Sequence, residues 1–151
     1  MSYKAIKETD WIDFTPACSL TNLTAITGKY KRHGSNMEFI GHVVISSSTS
    51  FAAGAWIDPL GPLGLTVGSS YLLGFSGSFN GETLYWDITA QRYKGQASVL
   101  ISWESPQKIY FQTIGTNGLA TTITSTTPFT WADGDRLFIH VKYLPIAEWG
   151  G

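Results

Sequence analysis

The sequence is short of charge. Only 14% of its 151 residues are Asp, Glu, Lys or Arg, against roughly a quarter in an average soluble domain. Ten cations face eleven carboxylates, for a net charge of -1. That balance excludes a general attraction for nucleic acid, which needs a clustered excess of cations. Lys29, Lys31 and Arg32 lie close together, but three cations make a patch and not a stripe. Cysteine is nearly absent. Cys18 stands alone, which excludes an internal disulfide and a cysteine-based metal site and points to folding in a reducing cytoplasm. No apolar run approaches the roughly 18 residues of a membrane span. The opening MSYKAIKETDW lacks the apolar core of a signal peptide. Helical periodicity is missing throughout.

Apolar and aromatic residues are what the chain has instead. The apolar fraction is 43%, with 6 Trp, 7 Tyr and 8 Phe, enough for one domain with a true core. With so few charges, part of the surface is expected to be covered in an assembly. Gly, Ser, Asn and Pro punctuate short apolar or alternating runs, the pattern of an all-β protein. Strands are expected at Met37–Ser46, Thr83–Ala90, Gln96–Glu104, Lys108–Ile114 and Arg136–Leu144, with a short one near Tyr71–Phe75. Asn80-Gly81 and Asn117-Gly118 are read as turns. Strict alternation in the last strand puts Leu137, Ile139, Val141 and Tyr143 on one face, with His140 and Lys142 on the other. Pro59 and Pro62 exclude a central strand through that stretch. Six to nine short strands in one domain imply an antiparallel β-sandwich or barrel, preceded by a polar arm at residues 1–10 and filling 11–151.

Candidate chemistry is sparse. There is no nucleophile elbow and no glycine-rich phosphate loop. His33, His42 and His140 have no metal-ligand spacing and are read as structural. Asp133-Gly134-Asp135 is too poor in acids for calcium and reads as a tight turn before the last strand. No catalytic, cofactor or metal residue is assigned, and the chain is expected not to be an enzyme. The aromatics are the better candidates for contact, since large flat rings give area at low entropy cost. Trp56 adjoins a Pro/Gly-rich excursion. One of Tyr85 and Trp86 must face away from the core if their strand is regular. Trp103, in phase with Val99 and Ile101, is read as core. Tyr143, Ile146 and Trp149 sit in the closing stretch YLPIAEWGG, read as an apolar clip folded over a sheet edge or a neighbouring subunit. Pro145 would end the ladder there by withholding an N–H. Trp56, Tyr85, Trp86, Tyr143, Ile146 and Trp149 are therefore the candidate interface or ligand contacts.

Four stretches carry a resemblance: Trp11–Pro16 (WIDFTP), Thr27–Gly34 (TGKYKRHG) leading into Met37–Phe39, Thr127–Asp135 (TPFTWADGD) and Leu144–Trp149 (LPIAEW). In this order they resemble a β-rich domain of tailed-bacteriophage virion proteins, found in tail-fibre tips and in small free-standing structural proteins. The resemblance implies a trimeric jelly-roll or C1q/TNF-like sandwich without catalytic residues. It implies a capsid decoration (cement) protein, a homotrimer bound to the major capsid protein on the virion head, made in the host bacterial cytoplasm. With only ten residues before the first motif, no shaft is expected. The alternative is a receptor- or carbohydrate-binding module at a tail fibre or baseplate tip, bound to a host-surface glycan. Neither nucleic acid nor membrane is an expected partner.

Overall fold

A computed structural model describes residues 9–66, 77–101, 108–114 and 117–149, with 77–81, 94–101 and 120 as backbone only. Among these described residues eleven strands run in chain order: β1 (Ile12–Phe14), β2 (Ala17–Cys18), β3 (Ala25–His33), β4 (Asn36–Val44), β5 (Trp56–Asp58), β6 (Gly77–Asp87), β7 (Arg92–Ile101), β8 (Ile109–Tyr110), β9 (Gln112–Ile114), β10 (Ala120–Thr122) and β11 (Arg136–Pro145). Nine form one sheet, in the order β1-β3-β4-β11-β6-β7-β8-β5-β2, and β9-β10 form a separate hairpin. Every pairing is antiparallel.

The two ends of the nine-stranded order are neighbours in sequence. Only Thr15 and Pro16 separate β1 from β2, and three peptide units span about 10 Å at most. The sheet must therefore curl until its first and last strands meet. Packing agrees. A methyl group added at Gly41 on β4 would lie 3.1 Å from Ile57 Cδ1 on β5, so two strands far apart in the order touch face to face across the core. Gly41 pairs with Gly28 on β3. A Cβ at Gly28 would meet Pro16 at 2.9 Å and Phe14 at 3.0 Å. The paired glycines leave room for large neighbours on the inner face.

That face follows strand alternation. Met37, Phe39 and Val43 of β4 and Leu137, Ile139 and Val141 of β11 are almost wholly buried. Tyr85 of β6 joins them, and its hydroxyl donates to the Gln112 carbonyl at 2.6 Å. Burial of the phenol pushes its pKa upward. Trp131 packs edge-on to Tyr85 at 5.6 Å and tilts against Phe129 at 4.3 Å.

Several expectations need correction. Alternation in β11 stops after Val141. The pairing runs Val141–Phe39 and then Leu144–Met37, three residues against two, which is a β-bulge. Leu144 turns inward at 1% exposure and Tyr143 turns outward at 51%, so Tyr143 does not share the core face. Asn80-Gly81 is no turn. Both residues lie inside β6, where the β6–β7 register shifts between Ser78 and Glu82. The nine-residue β3, whose lysines and glycine mask its pattern, was not expected. β5 lies between β8 and β2 and ends at Asp58, immediately before Pro59, so Pro59 and Pro62 stay outside the ladder as expected. Asn117-Gly118 is a turn, with Gly118 at φ 78 and the Leu119 amide donating to Asn117 Oδ1. Asp133–Asp135 is a tight turn too: Gly134 has φ 88, and the buried Asp135 carboxylate accepts from the Ile88 and Ala132 amides at 2.9 and 2.7 Å. The expected strand at Tyr71–Phe75 and the core position of Trp103 lie outside the described residues.

Candidate functional site

Residues alternating with the core positions form the outward face of β3-β4-β11-β6. The register sets them in rows across the sheet. One row reads Thr27, His42, Phe138, Leu84; the next reads Lys29, Ile40, His140, Glu82. Ile40 is 37% exposed. Phe138 stacks on His42 with centroids 4.7 Å apart and planes at 10°. A groove of about 710 Å³ opens here, with Ile40, His42 and Phe138 on its floor and Asp13, Phe14, Thr27 and Lys29 around it. A second hollow of about 240 Å³ continues past Ile40 and Phe138 to Leu84 and Glu82. Burial and then the Arg136 guanidinium lower the His42 pKa, so the imidazole is kept neutral on an apolar floor. Lys29 reaches Asp13 at 3.5 Å, but both are largely exposed and the pair is worth little.

At one end of this face sits a three-strand cluster. Glu38 of β4 is held by two histidines: His33 Nε2 of β3 lies 2.9 Å from Oε1, and His140 Nε2 of β11 lies 2.7 Å from Oε2. Partial burial works to raise the Glu38 pKa, and the imidazole hydrogen bonds and charges outweigh it, so the net shift is downward from 4.5. Lys142 and Tyr143 line the adjoining hollow of about 320 Å³ with His33 and Glu38. Each ring presents its bonded nitrogen to the carboxylate. Among the described residues no group of three or more His, Cys, Asp or Glu is placed to hold a metal ion. His33 and His140 tie three strands together, as structural histidines do, but Glu38 as their hub was not foreseen. It is 102 residues from His140 in sequence, and only the β4–β11 register brings the two together. A local signal existed for His33, which pairs with Asn36 across the Gly34-Ser35 turn and reaches Glu38 diagonally, two residues further on the same face.

The six candidate contacts do not converge. Tyr85 and Ile146 are core residues, at 0% and 6% exposure, and offer no surface to a partner in this fold. The reason is alternation at Tyr85 and the β11 bulge at Ile146, whose amide also bonds the Ser35 carbonyl at 3.1 Å. Trp86 faces outward and meets Tyr93 edge-on at 4.9 Å. Trp56 is half-buried beneath the Lys108 ammonium, 4.7 Å from its centroid. Trp149 lies against Tyr30 with centroids 6.4 Å apart, and the Arg32 guanidinium sits 4.8 Å above it. The tail is pinned, as expected: Ala147 donates to Thr66 at 2.9 Å, and Pro145 is the last residue of the ladder. Tyr143 is the exposed member of the set.

Three of the four quoted stretches meet at one edge. Trp11–Pro16 supplies β1, paired to β3; the tail ring covers Tyr30 and Arg32 of the second stretch. Thr9 is also attached, exchanging hydrogen bonds with Arg32 at 3.2 and 3.0 Å, so the end of the expected arm lies on the body. The third stretch stands apart and holds the end of β4, where the Ile45 amide donates to the Asp135 carbonyl at 2.8 Å and the Gly134 amide donates to the Ile45 carbonyl at 2.9 Å. No helix among the described residues is long and apolar enough to cross a membrane. Compared with known protein families, curated proteins and solved structures, the chain matches none.

Proposed function

We propose that this is a structural protein of a bacteriophage virion, specifically a capsid decoration protein that binds the head surface as a homotrimer and ties neighbouring major-capsid subunits together. One observation supports the reading most: the outward face of the two central strands β4 and β11 carries Ile40 and Phe138 among polar side chains, in a chain with few charges. Outward apolar side chains of this kind suit contact with another protein. The antiparallel all-β fold is compatible with the jelly-roll or C1q/TNF-like sandwich that the resemblance implies, and that finer topology is part of the proposal. The four stretches behind the resemblance close the sheet edge and the end of β4, which is the work of a rigid scaffold.

The test is location and binding. Undecorated heads mixed with the purified protein should retain it on sedimentation, and labelled protein should image on the head. Label confined to the tail tip, or glycan binding abolished by Trp56→Ala, would replace this reading with the receptor-binding one.

A further inference from the structure

We propose that Asn117 is a self-modification site, where the Gly118 backbone nitrogen displaces the side-chain amide and water then leaves an aspartate or isoaspartate. This goes beyond the structural-protein reading and holds whether the protein sits on a head or on a tail. The chain carries three pairs of the kind that can close on themselves: Asn80-Gly81, Asn117-Gly118 and Asp133-Gly134. In each, a backbone nitrogen can attack the side-chain carbonyl of the residue before it. Glycine leaves that nitrogen unshielded, since it has no Cβ. The three pairs differ in what the fold does with the glycine.

Gly81 lies inside β6, set against Val141 of β11, with β7 on the other side of the strand. Ring closure there would turn an amide N–H into an imide nitrogen without a hydrogen and bend the chain, which a strand paired on both edges resists. Gly134 donates its amide to the Ile45 carbonyl at 2.9 Å, so its nitrogen is held away from Asp133. Asp133 also offers a carboxylate, which resists nucleophilic attack. Gly118 is different. It lies in the exposed turn between β9 and β10, at φ 78, and its amide donates to nothing among the described residues. A Cβ built on it would meet nothing within 4 Å, so the nitrogen has room to move and water has access. The electrophile is prepared as well. The Leu119 amide donates to Asn117 Oδ1 at 3.1 Å. That donor sits on the oxygen that takes up negative charge as the tetrahedral intermediate forms, the arrangement that speeds acyl transfer.

The chemistry balances with water as the only co-reactant. The Gly118 nitrogen gives up its proton and bonds to Asn117 Cγ. The bond from Cγ to Nδ2 breaks, and ammonia leaves carrying that proton. Water then opens the cyclic imide: attack at Cγ gives aspartate, and attack at the backbone carbonyl carbon gives isoaspartate. Nothing is oxidised or reduced. Each event adds a negative charge to a chain of net charge -1, at a turn flanked by the exposed Ile114 and Leu119.

Storage of the folded full chain in mildly alkaline buffer, followed by peptide mass mapping, tests this. The peptide holding Asn117 should gain the mass of an amide-to-acid change, release ammonia in equal amount and take up heavy oxygen from labelled water. Asn80 should convert at least about tenfold more slowly, as a site protected by folded structure does. In urea the strand is gone, and the two asparagines should convert at similar rates. Asn117→Gln keeps the amide but needs a larger ring, so its folded chain should stay unmodified over the same period. Asn117→Asp supplies the chromatographic standard for one of the two products. Three results overturn the proposal: Asn80 converting as fast as Asn117 in the folded protein, Asn117 surviving the period in which the urea-treated chain converts, or an unchanged mass gain in Asn117→Gln.

Discussion

The inner and outer faces of β4 and β11 share one backbone and one set of hydrogen bonds, yet they do different work. Inward, Phe39, Val43, Leu137 and Ile139 are at 0–1% exposure. Outward, the same strands carry Glu38, Ile40, His42, Phe138 and His140, a mixed face with Ile40 and the His42–Phe138 stack at its centre and Glu38 hydrogen-bonded to histidines at one end. The inner face is committed to folding. The outer face keeps apolar surface that the fold of one chain does not need. Neighbouring residues on one strand should therefore differ sharply in what they contribute to stability.

The largest expected effect is on the inner side. Phe39→Ala should cost about 3–5 kcal/mol in denaturant unfolding, whereas Ile40→Ala should cost less than about 1 kcal/mol. Comparable losses at the two positions would erase the contrast. Next comes Gly41→Ala. Its methyl would sit 2.8 Å from both Ile139 Cγ2 and Phe39 Cζ, and overpacking of this kind costs about 1–3 kcal/mol, read as a lower melting temperature. Glu38→Gln should cost about 1 kcal/mol at neutral pH, through the loss of charge-assisted hydrogen bonds. The sign with pH follows from the downward shift. The folded state favours the carboxylate, so the contribution of Glu38 is complete above 4.5 and is lost as pH falls through the lower folded value. Acid titration of wild type should show this loss, and Glu38→Gln should flatten it. The smallest effect concerns Cys18. Burial, the largest influence on it, raises the thiol pKa from 9.0 to about 11. Alkylation at neutral pH should be far slower than for a free thiol, and fast labelling of the native protein would contradict that.

Much of the inner face was legible in advance. Met37–Ser46 and Arg136–Val141 alternate cleanly, and the structure pairs them as the centre of the sheet. The pinned tail followed from the strand leading into it. Elsewhere local pattern failed for identifiable reasons. One extra residue in β11 reversed Tyr143 and Leu144. An Asn-Gly pair, usually a turn, was absorbed within β6 as an irregular register. β3 hid behind its lysines because its outward positions are charged and its inward positions include Gly28, which packs by being small. Of the candidate contacts, Tyr85 and Trp86 posed a choice that alternation alone left open; the hydrogen bond to Gln112 goes with Tyr85 turned inward.

By itself the sequence determined that this chain is all-β, that it has a core, and that its charges are too few to cover a surface. Those properties follow from composition and from a two-residue period, both of them local. The tertiary structure alone decided which outward residues share a row. Cross-strand neighbours come from register, and register joins residues as distant as Glu38 and His140. The bulge, the curled sheet that brings β1 back to β2, and the mixed outward face of β4 and β11 all depend on that long-range pairing.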